Sequence, residues 1–160
     1  MASPEIEGDP DDPLAGHPGA LRPLTGELVA AVLAARGRSV GLTLDGELVG
    51  HFDDNMIWFL RVGGDGELLQ IRTMVDPTFG IERVPDLYAF CNSWNHDRLW
   101  PKAYVHVSDD GTVNVIGEVL ADWEKGVTPE QLDQVLICGI ATGCQLADAV
   151  AELRQDRPTS

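Results

Sequence analysis

Asn92, Trp94 and Asn95 make the most suggestive polar cluster in the chain. Asparagines three apart share one side of a helix, so both amides project beside the Trp94 indole. Two chemistries suit that pattern. The amides could contact a bound peptide or ligand, or they could tie the helix end to the following strand by satisfying its orphan carbonyls. The second reading is favoured, because the chain must turn sharply at Trp100-Pro101. A further group, Lys102, Tyr104, His106 and Glu118, alternates onto one side of two strands, where a solvated sheet face is the default.

Catalytic patterns are wanting. His51, His96 and His106 fall on separate elements, and no Ser-His-Asp or Cys-His arrangement carries a recognisable signature. No glycine-rich phosphate loop joins a strand to a helix. The acidic turns Asp53-Asp54-Asn55 and Asp109-Asp110-Gly111 lack the spacing of a calcium loop, and hairpin chemistry accounts for both. Cys91, Cys138 and Cys144 are odd in number and lie in apolar-periodic segments, which fits neither a disulfide framework nor a zinc site. The expectation is a non-enzyme with no cofactor and no metal.

The elements that position these residues can be read from period and punctuation. Residues 1–23, rich in Pro, Gly and Asp, read as a flexible acidic arm with only Leu14 or Leu21 to anchor it. Residues 24–154 form the domain, and 155–160 a polar tail. Thr25 caps a first helix whose buried stripe is Leu28, Val29, Val32 and Leu33, with Gly37 as its stop. Four strands follow, VGLTL, ELVGHF, MIWFLRV and ELLQIRTMV, separated by Asp-Gly, Asp-Asp-Asn and Gly-Gly-Asp-Gly turns. A second helix begins near Pro85, with Leu87, Phe90, Cys91 and Trp94 on one face. Two strands, KAYVHV and TVNVIGEVL, turn at Asp109-Asp110-Gly111. The order α-β-β-β-β-α-β-β-α predicts an α+β fold, an antiparallel sheet with helices packed on one face.

The last helix opens with a capping box, Thr128-Pro129-Glu130-Gln131, and runs to about Leu153. Its middle, QVLICGIATGCQLA, is apolar nearly all the way round, unlike a helix with one core stripe. Gly139 and Gly143 signal close approach to a sheet or another helix. The surplus surface of Leu136, Ile137, Ile140 and Cys144 predicts a second partner, a homodimer contact or a groove for another protein.

Charge narrows the partners. Among 160 residues, 11 basic against 26 acidic side chains give −15, which repels phosphate backbones and anionic lipid. No nucleic-acid or membrane-surface partner is expected. The N-terminus lacks a basic stretch followed by an apolar one, and no run of about twenty uncharged apolar residues predicts a membrane span. With the cysteine pattern, this places the protein in a reducing cytoplasm.

The stretch N-S-W-N-x-x-x-x-W-P-K-A-Y-V, Asn92 to Val105, resembles the most characteristic segment of YbjN-domain proteins. ELVGHF and MIWFLRV before it, and G-V-T-P-E-Q-L and I-C-G-I-A-T-G after it, extend the likeness over residues 24 to 154. The resemblance implies a bacterial protein with the fold of type III secretion chaperones, small acidic dimers that bind extended segments of partner proteins without ATP. It implies a sensory-transduction regulator by family description. The expected function is therefore a non-catalytic protein-binding or regulatory domain, with Asn92, Trp94, Asn95, Lys102 and Tyr104 as candidate contacts. The alternative is a small-molecule or nucleotide sensor with a pocket beside the Asn92/Trp94/Asn95 helix.

Overall fold

The computed structural model describes residues 11–14, 16, 19–76 and 78–155. Helix α1 spans Gly26–Ala35. It is followed by strands β1 (Gly41–Leu42), β2 (Leu48–Phe52), β3 (Asn55–Val62) and β4 (Leu68–Met74). A short 3-10 turn, Ile81–Arg83, leads into α2 (Val84–Asp97). Then come β5 (Lys102–Val107), β6 (Val113–Asp122) and α3 (Pro129–Gln155). The expected α+β class and element order are both observed. The six strands form one antiparallel sheet in the order β1-β2-β3-β4-β6-β5.

Local chemistry sets the helix ends where the sequence put them. The Thr25 hydroxyl accepts from the Leu28 N–H at 3.1 Å. At the other end of α1, Gly37 adopts φ 71°, and the N–H groups of Gly37 and Arg38 close onto the carbonyls of Ala34 and Leu33. The capping box of α3 is reciprocal: Thr128 N–H donates to Gln131 Oε1 at 3.0 Å, and Gln131 N–H to Thr128 Oγ1 at 3.1 Å. Strand β1 is shorter than VGLTL predicts. The turn takes over at Thr43, whose N–H pairs with the Glu47 carbonyl, and leaves only Gly41 and Leu42 on the ladder.

The apolar surplus of α3 is absorbed within the chain, which corrects the expected dimer surface. Leu136 is 0% exposed, and Ile140 and Cys144 are 7% exposed; Ile137 alone of that set stays half-buried. The N-terminal half of α3 shares a core with α1, β2, β3 and β4, including Leu28, Val32, Ile57, Phe59, Ile71 and Leu136. Its C-terminal half shares another with α2, β5 and β6, including Leu87, Trp94, Ala103, Val115 and Leu146. A helix flanked by two helices and floored by a sheet is apolar on three sides for that reason. Its outer face is Gln131, Gln134, Ala141, Gln145, Asp148 and Glu152. By length and composition α3 is also apolar enough to cross a bilayer, a difference from the sequence expectation. Burial of its leucines against the sheet accounts for that composition.

Gly139 and Gly143 let α3 lie directly on β4. A Cβ on Gly139 would stand 2.6 Å from Ile71 Cδ1, and one on Gly143 would collide with Thr73 Oγ1. The N-terminal arm also differs from expectation. Its first ten residues lie outside the described set, but Arg22 bridges to Val127 through main-chain bonds of 2.9 and 2.8 Å, and Leu14 packs on the α1/α3 core. Leu21 is 61% exposed, so Leu14 is the anchor. Of the polar tail expected at 155–160, Gln155 ends α3 and 156–160 lie outside the described residues.

Gly143→Ala and Gly139→Ala should each lower unfolding free energy by about 1–2 kcal/mol net. Overpacking against β4 exceeds the gain in helix propensity. Urea denaturation showing either variant unchanged or stabilised would contradict the close contact.

Candidate functional site

The Asn92–Val105 segment is a staple. The Asn95 carboxamide donates to the Ala103 carbonyl and accepts from the Ala103 N–H, both at 2.8 Å, so it pairs with the start of β5 as another strand would. Trp94 Nε1–H donates to the Pro101 carbonyl at 3.0 Å, and the Arg98 guanidinium lies 4.3 Å from the indole centroid. The Trp100-Pro101 peptide is cis. Pro101 and Leu146 fill the space that a Cβ at Gly117 would need, which seats the turn against β6 and α3. Trp94 is thus buried and Asn95, though exposed, has its amide committed to β5, while Asn92 is exposed with no such tie.

The five candidate contact residues do not form one site. Ala103 faces α2, so its neighbours Lys102 and Tyr104 point to the other side of the sheet. Cavities of about 640, 380 and 350 Å³ lie elsewhere: between α1 and the β1–β2 hairpin, beside Trp123, and between α1, α3 and the Phe52–Asp53 turn. None of the three is lined by Asn92, Trp94 or Asn95.

The titratable groups are dispersed too. His51 is on β2 and His106 on β5, with three strands between them, and His96 pairs with its neighbour Asp97 at 2.9 Å. Asp53 and Asp54 occupy the two central positions of the β2–β3 turn at φ 48° and 66°, and the Asn55 amide donates to the carbonyls of Phe52 and Asp53. The Asp110 carboxylate accepts from Thr112, whose hydroxyl and N–H hold it below the usual carboxylate range. Arg36 forks onto Asp133 at 2.7 and 2.6 Å, joining α1 to α3, and depresses that carboxyl. Burial pushes the Cys91 thiol up to about 11 and also raises Cys144, whose Sγ lies 3.6 Å from the Phe52 carbonyl.

What the topology does bring together is the sheet face that carries no helix of the described residues. All three helices pack on the side of Ile57, Phe59, Leu69, Ile71, Val115 and Val119. In register across the opposite side run Met56, Met74, Ile116 and Tyr104, then Trp58, Arg72, Glu118 and Lys102, then Leu60, Gln70 and Leu120. Met56 is 37% exposed and Leu120 50%, and Trp58, Leu60, Met74 and Tyr104 are half-buried. Desolvation raises the Tyr104 hydroxyl, Arg72 lowers it, and Glu118 raises it again. The sequence reading placed Lys102, Tyr104, His106 and Glu118 here correctly and missed Met56, Trp58, Leu60, Met74 and Leu120. The signal was present: Met56 to Leu60 is apolar at every position, as in a strand that buries both faces.

A six-stranded antiparallel sheet backed by three helices, with its other face bearing a band of apolar side chains, defines a small α+β domain. A family model, YbjN, described as "Putative bacterial sensory transduction regulator", matches residues 25–152. The chain belongs to the YbjN family. It is also similar in fold to the crystal structure of YbjN from E. coli, "a putative transcription regulator". That match has 18% identity and a TM-score of 0.69, and covers 84% of this chain and 97% of the other. No curated protein matches.

Asn95→Ala leaves the Ala103 N–H and carbonyl without partners and should cost about 2–3 kcal/mol. Asn92→Ala should change stability by less than about 0.5 kcal/mol. Equal effects in thermal denaturation would refute the staple. Because the folded Cys91 thiol is raised, its contribution is full below the unfolded value of 9.0 and is lost as pH rises toward about 11. Cys91→Ala should flatten that alkaline part of the stability curve; an identical slope would exclude it.

Proposed function

We propose that this chain is a non-catalytic regulatory domain of the bacterial cytoplasm that binds a partner protein through the open face of its sheet. One observation carries the reading: apolar side chains on β3, β4 and β6 lie on a face that no helix or strand among the described residues covers. Sheets with an apolar face are stable when another layer packs on it. Exposed apolar bands rimmed by polar groups mark interaction sites. Here the rim is Lys102, Glu118 and His106. The net charge of −15 supports a protein occupant over nucleic acid. The free thiols of Cys91, Cys138 and Cys144 fit a reducing compartment.

A homodimer, expected from the sequence on α3, loses its surface there because Leu136, Ile140 and Cys144 are internal. A second copy would have to use the same open face, against the repulsion of two strongly acidic chains. A different protein is the better occupant.

A photo-crosslinking residue placed at Met56 or Trp58 should capture a discrete partner in cells, while one at Gln145, on the outer face of α3, should not. Adducts from position 145 alone, or the same adducts from all three, would contradict the assignment.

A further inference from the structure

Within the open face, one side chain lacks what its chemistry requires. Arg72 sits on β4 at the centre, opposite Trp58 on β3 and Glu118 on β6. Its Nε is buried from water with no hydrogen-bond partner, and no carboxylate of the described residues pairs with it. Glu118, the nearest acid in register, stands between Arg72 and Lys102 and interacts with Tyr104, but forms no ion pair with Arg72. A guanidinium is charged at every relevant pH and presents a planar fork of donors that matches a carboxylate. If a purely apolar surface covered it, the charge would be buried unpaired, which is strongly unfavourable. The covering layer must therefore bring an acceptor, and a carboxylate is the complementary one.

We infer that the open face receives an amphipathic helix of a partner protein whose apolar stripe contains a carboxylate, and that Arg72 binds that carboxylate. This rests on the reading of the open face as the partner site. The dimensions suit a helix. Its width of about 10 Å covers roughly three strands spaced about 4.8 Å apart. That is the span from Met56, Trp58 and Leu60 on β3, across Arg72 and Met74 on β4, to Leu120 on β6. Apolar side chains of the helix cover Met56, Trp58 and Leu60, and the acid falls between them over Arg72. Lys102, at the edge of the same row, adds a second cation on the β5 side.

The test uses the full chain and two fluorescently labelled 18-residue helical peptides of Leu, Ala and Gln. They differ only in a central Glu or Gln within the leucine stripe. Anisotropy at physiological salt should show the Glu peptide binding roughly tenfold tighter. Arg72→Met should abolish that preference while leaving the weaker binding of the Gln peptide, and Arg72→Lys should retain part of it. Far-UV circular dichroism checks that both variants fold, and the Lys variant keeps the charge if the Met variant does not. Equal affinity for the two peptides, or a Glu preference that survives Arg72→Met, overturns the role of Arg72 and leaves the face itself standing. Binding of neither peptide, with no capture from positions 56 and 58, overturns the partner site as well.

Discussion

The contact on which the rest of the structure depends is the one between α3 and β4. Gly139 and Gly143 remove two side chains so that the helix backbone rests on Ile71 and Thr73. With α3 seated that low, α1 and α2 pack along its two flanks, and each half of the helix becomes the centre of a core. Leu132, Leu136 and Leu146 lie at its deepest points, where full burial contributes about 1.5–3 kcal/mol each. The Arg36–Asp133 fork holds α1 to this axis from outside.

That arrangement puts all three helices on one side of the sheet. The Asn92–Val105 staple completes it, because the α2 end must hand the chain to the edge strand β5 in register. Asn95 does so by pairing with Ala103 as a strand would, and Trp94 by holding the Pro101 carbonyl. The residues that look most like a recognition motif are therefore those that close the helical layer. The opposite face is left with Met56, Trp58, Leu60 and Leu120 and no helix of the described residues above them.

Much of the fold was legible because local chemistry and global packing agree. The caps at Thr25 and Thr128, the stop at Gly37 and the inward set of β5 and β6 all follow from residue type and spacing. The open face of the sheet was harder to read. An apolar run such as Met56–Leu60 suits a strand covered on both sides, but does not tell that the helices cover only one of them. The α3 surplus misled for the converse reason: sequence shows that a helix is apolar all round, and only the topology shows that sheet, α1 and α2 absorb it. Asn95 and Asn92 look alike three residues apart, and their difference depends on where Ala103 lies in space.

Hydroxyl-radical footprinting in living cells and on the purified protein tests the central claim most directly. Oxidation at Trp58 and Met56 should fall several-fold in cells relative to the purified chain, while Trp94, held inside the fold, stays protected in both. Equal oxidation of Trp58 and Met56 in the two settings would contradict the account, since the open face would then carry no partner where the protein works.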